Sequence, residues 1–329
     1  MNWNLIIQNF FESALGDFAM IYALAAIGLN LHYGYTGLLN FGHVAFLLVG
    51  AYGTAIIVTY FSLSLFAGFA VGMVAAVVLA LLLGLPTLRL RADYLAIVTI
   101  VAGEILRLTF RSVALRRYTG GSFGLTGFAR DFYALSPIPE GSYGVWVVRF
   151  SERQLWVLVV GWTLVALAAL GVYLLMHSPW GRVLRSIRED EDAARSLGKN
   201  VYFYKMQSLV VGGVIGSLAG IMLAVNTQNV QPDVYSPPVT FFIFTALILG
   251  GAATGLGPIV GAGLFWGLLS ATDNILRQAV NAGYVPSEIM SGTQVGQVRF
   301  ILVGLGLMLL MIFRPQGIFG DRRELRLDA

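Results

Sequence analysis

The sequence predicts an all-α, polytopic integral membrane protein with about nine transmembrane helices. Three observations lead there: 57% of the 329 residues are hydrophobic, the mean hydropathy is +0.77, and only 12% of the residues are charged. Soluble domains carry about 25% charged residues, so a water-soluble globule of this length could not cover its surface. The composition therefore excludes a soluble enzyme, a disordered chain and a collagen-like repeat.

Apolar segments that could each span the bilayer recur along the chain, since a spanning helix needs about 20 such residues. The candidate spans 239–254 and 258–276 are divided only by Gly250, Gly251, Gly255, Gly257 and Pro258. The 39 glycines fit helices that approach closely in lipid, and Gly212, Gly213, Gly216 and Gly220 share one helical face. The candidate spans lie near 17–33, 43–61, 65–85, 93–110, 155–176, 203–225, 239–254, 258–276 and 298–313.

An odd number of crossings and the positions of the arginines predict the orientation. The arginine-bearing tail, 314–329, is expected in the cytoplasm, and so is the charged loop 177–202. The loop 111–154 is then outside although it also carries arginines, because long translocated segments obey the positive-inside rule less strictly. Residues 1–329 are expected to form one transmembrane domain, and the N-terminus, which lacks a basic region and a cleavage site, is expected to belong to the mature protein.

Residue types needed for several kinds of chemistry are missing. Cysteine is absent and only His32, His43 and His177 could supply imidazole, so a metal site is not expected. No phosphate-binding loop of the type G-x-x-x-x-G-K-[ST] occurs, which excludes ATP binding by that motif. The segment 120–124 matches G-x-S-x-G, but the one histidine that follows it, His177, is expected on the opposite side of the membrane, so a flexible or anion-cradling loop is favoured over an intramembrane hydrolase that uses Ser122. We therefore expect no catalytic residue and no cofactor in this chain.

The charged loop 177–202 contains a predicted amphipathic helix. Pro179 is placed to start it and Gly198 to end it. At 100° per residue, Val183, Ile187, Ala194 and Leu197 fall within an arc of roughly 80°, which gives a narrow apolar stripe. Two alternatives remain: the helix lies flat on lipid headgroups, or its stripe enters a groove on a soluble partner. The mixture of acids and bases on the other faces favours the partner.

At these residues the sequence resembles a known family. Asp192-Ala193-Ala194-x-x-x-Gly198 is similar to the E-A-A-x-x-x-G motif of ABC importer permeases, with Asp in place of Glu. The string G-R-x-x-R-x-I-R-E-x-E-x-A-A at 181–194 resembles more closely the branched-chain amino-acid permeases of the LivM type. Further blocks that agree are GLNL at 28–31, NFGH at 40–43, GAY at 50–52, YLAIVT at 94–99, EILR at 104–107, TGGSFGL at 119–125 and the glycines of 250–262, so the resemblance covers most of the chain.

The resemblance implies a permease subunit of an ATP-driven importer that moves branched-chain amino acids across a bacterial inner membrane by alternating access. The implied partners are two cytoplasmic ATPase subunits that bind ATP and Mg, a second permease subunit, and a periplasmic or extracellular substrate-binding protein; nucleic acid is not expected. Two alternatives are a permease for urea or short amides and a channel or secondary transporter that works alone. The residues implied in coupling to the ATPases are Gly181, Arg182, Ile187, Arg188, Glu189, Glu191, Asp192, Ala193, Ala194 and Gly198.

Polar groups inside or beside the predicted spans are candidates for the substrate path, because ionisable groups are costly in lipid. Glu104 can instead form a structural ion pair with Arg107, three residues on, and His43 can instead hydrogen-bond to a neighbouring helix. The candidates are Asn40, His43, Tyr52, Tyr94, Thr99, Glu104, Thr119, Gly120 and Gly121.

Overall fold

The computed structural model describes residues 2–145, 148–282, 294–314 and 316–320, and these residues are mostly helical. The helices are α1 (Trp3–Leu15), α2 (Asp17–Asn30), α3 (Val44–Phe61), α4 (Leu65–Thr87), α5 (Ala92–Arg111), α6 (Arg116–Thr119), α7 (Arg130–Ala134), α8 (Glu152–His177), α9 (Pro179–Glu189), α10 (Glu191–Ser196), α11 (Val201–Thr227), α12 (Pro237–Gly250), α13 (Gly257–Asn281) and α14 (Val295–Phe313). A π-helical turn, Leu31–Tyr35, continues α2, and 3-10 turns cover Val113–Leu115 and Pro232–Tyr235.

Two small antiparallel sheets complete the described part of the chain. Strand β1 (Leu125–Thr126) pairs with β4 (Asn229–Val230), so that Leu125 lies opposite Val230. Strand β2 (Ser142–Val145) pairs with β3 (Val148–Ser151), and β3 runs directly into α8. The first sheet therefore ties the segment after α6 to the segment after α11.

Five of the described helices are long and apolar enough to cross a membrane, namely α3, α4, α8, α11 and α13. Helices α1 and α2 form a pair bent by 40° that passes the same test as a sixth span. Helix α12 and the part Val295–Gly306 of α14 are shorter apolar segments, while α5 has 20 residues but carries Asp93, Glu104, Arg107 and Arg111. The chain is thus a multi-pass membrane protein, and the count of nine crossings stays a prediction.

The predicted spans agree closely with several helices and differ from others. The segment 43–61 corresponds to α3 and the segment 93–110 to α5, whereas α12 ends at Gly250, short of the predicted 254. Helix α1 was missed because its apolar residues are interrupted by polar ones. These polar residues pack on α13: Asn9 Nδ2 donates to Asn274 Oδ1 at 2.8 Å, and Ser270 Oγ donates to the Asn9 carbonyl at 3.1 Å.

Helix α11 lies in the centre of the bundle, against α2, α3 and α4. Its glycines allow this contact, as the sequence predicted: a Cβ on Gly212 would lie 2.5 Å from the Gly28 carbonyl oxygen, and one on Gly220 would lie 2.0 Å from that of Leu47. On α3, Gly50 fits against Ser217 in the same way. Close backbone contact between α11 and its neighbours therefore forms the core of the protein.

The bundle has two ends, which we name by their elements. Helix α11 begins beside α10 and finishes beside β4, and its 27 residues separate these points by roughly 40 Å at 1.5 Å per residue. The α9–α10 end also holds the Gly251–Gly257 connection and the chain after α14, where Ile318 N–H donates to the Leu249 carbonyl. The β1–β4 end holds α6, α7 and Asp233. Of the predicted tail 314–329, only 314 and 316–320 are described.

Candidate functional sites

The segment predicted as one helix between Pro179 and Gly198 forms two. Helix α9 begins with Pro179 at its first turn and ends at Glu189, where Asp190 adopts an extended backbone with φ −152° and ψ 107°. The Asp190 side chain then caps α10, since its Oδ1 accepts hydrogen bonds from the backbone N–H groups of Asp192 and Ala193, both at 2.9 Å. The prediction of a continuous helix was wrong because this cap makes a break at Asp190 favourable.

The predicted apolar stripe packs mostly against the protein itself. Ile187 and Ala194 are 3% and 2% exposed and form a small cluster with Val201 at the start of α11. Leu184, which is outside the predicted stripe, is fully buried, whereas Leu197 is 78% exposed. Because the break at Asp190 changes the direction of the chain, the stripe does not lie on one outward face. The expectation that Ile187 and Ala194 would enter a partner's groove was therefore wrong.

The outward surface of α9 and α10 is charged. Glu191 bridges two elements: it accepts from Lys205 of α11 at 2.5 Å and from Arg195 at 2.9 Å, and Arg195 also bonds to Asp192 at 3.0 Å. Gly181 is needed where α9 leaves α8, since a Cβ there would lie 2.4 Å from the Met176 carbonyl oxygen. The exposed members of the predicted coupling set are Arg182, Arg188, Glu189, Asp192, Ala193 and Gly198.

Helix α9 is fixed to the transmembrane bundle at two points. Trp180 Nε1 donates to Gln207 Oε1 of α11 at 2.8 Å. Arg188 lies against Gly37, which has φ +74° just beyond the π-helical turn; a Cβ on Gly37 would meet Arg188 Cγ at 3.5 Å. A displacement of α9 would thus reach α11 and the connection between α2 and α3 directly.

A buried polar cluster lies between α2, α3 and α11. Asn40 Nδ2 and His32 Nδ1 are 3.2 Å apart, and the rings of His32 and His43 meet edge to face with centroids 5.3 Å apart. His32 Nε2 contacts the Leu209 carbonyl at 3.2 Å, and His43 Nε2 contacts that of Ala25 at 3.1 Å. The hydrogen bond from His43 to a neighbouring helix, one of its two alternatives, is present.

His32 was not among the predicted path residues, although it lies in the predicted span 17–33. The presence of an ionisable residue inside a span was the signal that could have found it. The side chains of His32, Asn40 and His43 are at most 2% exposed. Within the described chain, Asn40 Oδ1 and His43 Nδ1 have no hydrogen-bond partner. No group of three metal-ligating side chains occurs among the described residues.

Thr99 lies beside this cluster, and Tyr94 does not. Gly42 packs so closely on α5 that a Cβ there would be 2.1 Å from the Thr99 carbonyl oxygen, and Thr99 is 2% exposed. Tyr94, near the start of α5, is 62% exposed on the outside of the described chain. The structure therefore places Thr99 against Gly42, the residue before His43, and leaves Tyr94 apart.

The remaining path candidates lie near the β1–β4 end, around a network of four charges. The predicted pair is present, because Arg107 donates from Nη2 to Glu104 Oε1 at 2.6 Å and from Nε to Oε2 at 2.9 Å. Arg107 Nη1 also contacts Asp233 Oδ1, and Arg111 Nη1 lies 3.4 Å from the same oxygen. Asp233 was missed since its partners are 122 and 126 residues away in sequence.

The glycine-containing loop 119–124 and Tyr52 adjoin this network. Thr119 Oγ1 donates to the Phe110 carbonyl at 2.7 Å and accepts from Gly121 N–H at 3.2 Å, and Gly120 and Gly121 have φ of +73° and +61°. The Tyr52 ring lies 4.6 Å from that of Phe110, and its buried hydroxyl has no partner in the described chain. Tyr52, Glu104, Thr119, Gly120 and Gly121 are thus grouped at one end of α5.

Comparison with known proteins identifies related chains. Residues 15–312 match the family model described as "Branched-chain amino acid transport system / permease component". The chain is 29% identical to the high-affinity branched-chain amino acid transport system permease protein LivM of Escherichia coli K12, over 92% of this chain and 69% of that protein. It is 24% identical to the probable LivM protein of Methanocaldococcus jannaschii, over 92% and 91%, and 27% identical to LivH of Escherichia coli K12, over 91% of both.

Proposed function

The chain belongs to the branched-chain amino acid transport permease family, and on that premise we propose that it is the membrane-spanning subunit of an ATP-driven importer of branched-chain amino acids. The assembly contains two cytoplasmic ATPase subunits, a second permease subunit and a substrate-binding protein on the outer side. The chain crosses the inner membrane nine times, with the α9–α10 end in the cytoplasm. ATP and Mg bind to the ATPase subunits, and this chain takes no part in the hydrolysis.

The observation that carries this proposal is the α9–α10 segment. Its apolar residues Ile187 and Ala194 pack inside the protein, whereas its outward surface carries the paired charges of Glu191, Asp192 and Arg195, and Leu197 is also exposed. A surface of paired charges fits the polar rim of a contact with a soluble protein and does not fit burial in lipid tails. A channel that works alone has no use for such a surface.

The contacts of α9 support transmission of force to the spans. Helix α9 contacts α11 through Trp180 and the α2–α3 connection through Arg188 and Gly37. When the ATPases close on α9, both contacts move together, and the π-helical turn after α2 is the local irregularity that can absorb the change. The spans then tilt about the closely packed glycines of α11, which alternates access to the two sides.

The path for the cargo runs along α5 in this proposal. Two observations support this: α5 carries Glu104, Arg107 and Arg111, and its outer face is otherwise apolar, with Ile105 60% and Leu108 48% exposed. Ions on a face open to lipid tails are costly, so this face borders water or another protein subunit. The second permease subunit closes the path from the other side.

The test is gentle extraction of the tagged chain from its native membrane, followed by reconstitution. We expect an ATPase pair and a second permease to co-purify, and the reconstituted complex to take up leucine, isoleucine or valine only with ATP and the binding protein. A chain that comes out alone and still moves solute would overturn the importer assignment. ATP-dependent uptake of urea or short amides without amino-acid uptake would change the cargo and keep the importer.

A further inference from the structure

The charge network on α5 divides into an inner and an outer pair. Glu104 uses both carboxylate oxygens on Arg107, and the Arg107 side chain is only 13% exposed. Asp233 and Arg111 are 47% and 46% exposed and 3.4 Å apart. The inner pair is therefore bidentate and holds Asp233 through Arg107, while the outer pair is more accessible.

The outer pair keeps spare bonding capacity. Arg107 and Arg111 both contact the same oxygen of Asp233, Oδ1, and within the described part of the chain no hydrogen bond reaches its Oδ2. Arg111 Nη1 makes the long contact to Asp233, while its Nε lies 3.4 Å from Ser122 Oγ. A guanidinium has five N–H donors, so Arg111 can also bind a carboxylate through two parallel hydrogen bonds.

The surroundings of this pair fit a neutral molecule with two charged ends and an apolar side chain. The four charges sum to zero, so a ligand with net charge would leave one charge uncompensated. Leu108 lies one helical turn before Arg111 on α5, is 48% exposed and offers apolar surface. On the inner side of α5, Phe110 packs against Tyr52, a buried residue whose hydroxyl has no partner among the described residues.

We propose that Arg111 and Asp233 bind the zwitterionic backbone of the cargo amino acid, Arg111 taking the carboxylate and Asp233 taking the ammonium group. This inference rests on the proposed function and names the residues that recognise the cargo. In the bound state the cargo carboxylate pairs with Arg111 and the cargo ammonium group pairs with Asp233, in place of the contact between Arg111 and Asp233. Binding therefore leaves no charge unpaired. Glu104 and Arg107 are positioning residues, and Ser122 assists at the carboxylate. Urea and simple amides lack both charged ends and gain nothing from this exchange.

The first test measures ATP-dependent leucine uptake by the complete complex in proteoliposomes, with saturating binding protein. Arg111→Gln and Asp233→Asn are each expected to lower uptake by roughly tenfold to a hundredfold, the range for loss of a hydrogen bond to a charged group. The matched control is Arg117→Gln, an exposed arginine near the same loop and outside the network, which is expected to keep wild-type uptake. Wild-type uptake by both network variants would overturn the proposal.

Two further variants separate recognition from a purely structural ion pair. Arg111→Lys keeps a positive charge beside Asp233 but lacks the planar fork that binds a carboxylate, so we expect several-fold lower uptake at an unchanged melting temperature. The double variant Arg111→Asp with Asp233→Arg keeps a pair but exchanges its ends. Because position 233 also faces Arg107, its melting temperature is measured together with its uptake, and we expect the folded variant to stay inactive. Restoration of uptake by this exchange would show that the pair only holds α5 to the Asp233 segment.

The outcomes distinguish this proposal from the proposed function. If the wild-type complex takes up no amino acid, the importer assignment fails. If the wild type transports and all network variants transport equally, only the assignment of Arg111 and Asp233 fails.

Discussion

Asn30 and Ala253 hold the end of α2 to the connection between α12 and α13. Asn30 Oδ1 accepts a hydrogen bond from Ala253 N–H at 2.8 Å, and Asn30 Nδ2 donates to the Thr254 carbonyl at 3.0 Å. Asn30 is 2% exposed, and Ala253 has a left-handed backbone with φ +59°. The buried Asn30 amide therefore bonds to two successive residues of the α12–α13 connection. It holds this connection beside the π-helical turn that α9 contacts.

Replacement of this amide is expected to destabilise the α9–α10 end. Asn30→Ala leaves the N–H of Ala253 and the carbonyl of Thr254 without their partner, and each such group costs about 1–3 kcal/mol when it is buried. We expect a clearly lower melting temperature in detergent. Asn281→Ala, at the exposed end of α13, serves as the control and should change the melting temperature little. Equal melting temperatures for the two variants would contradict the role of Asn30.

Removal of the cap on α10 is expected to loosen that helix without unfolding the bundle. Asp190→Ala removes the acceptor for the N–H groups of Asp192 and Ala193, which costs typically about 1 kcal/mol. Hydrogen exchange of residues 191–196 should become faster, while exchange in α11 stays unchanged. Asp190→Asn retains an acceptor and is expected to behave like the wild type. Unchanged exchange in Asp190→Ala would show that the contacts of Glu191 hold α10 without the cap.

Part of this fold follows from the sequence because hydropathy alone places the long apolar helices. Segments 43–61 and 65–85 correspond to α3 and α4, and the pairing of Glu104 with Arg107 follows from their spacing of three on one helix. The glycine face of α11 was also predictable, since small residues at spacings of three and four allow close approach in lipid. These are all properties of a single helix.

Other features depend on contacts between residues far apart in sequence, which hydrophobic periodicity does not predict. The break between α9 and α10 results from one capping side chain, Asp190, and it turns Ala194 inward and leaves Leu197 exposed. Asp233 joins Arg107 and Arg111 across 126 and 122 residues. Tyr94, which a sequence block groups with Thr99, points away from the other candidates because it lies on a different face of α5. Long-range packing decides each of these cases.

A methyl group on the buried face of α11 is expected to disrupt the core. In Gly220→Ala the new Cβ would lie 2.0 Å from the Leu47 carbonyl oxygen, which belongs to a backbone that cannot rotate away. Overpacking of this kind costs typically about 1–3 kcal/mol, so we expect lower yields of folded protein and a lower melting temperature. The matched control is Gly171→Ala in α8, where nothing lies within 4 Å. Similar behaviour of the two variants would contradict the close contact between α3 and α11.

The same charge placed at two positions of the α9–α10 segment is expected to act in two different ways. Ala194 is 2% exposed and packs with Ile187 and Val201, so Ala194→Glu buries a carboxylate without a partner and should lower the melting temperature of the chain. Leu197 is 78% exposed, so Leu197→Glu should leave the melting temperature unchanged.

ATP-dependent uptake supplies the second readout for this pair of variants. If the ATPases dock as proposed, Leu197→Glu is expected to lose uptake and co-purification of the ATPases, because the contact would bury a carboxylate without a partner. Leu197→Met keeps an apolar contact of similar size and should retain both. If Leu197→Glu transports like the wild type, the ATPases do not dock on Leu197. The docking surface must then lie among the exposed charges of α9, and charge reversal at Arg182 would be the next variant to measure.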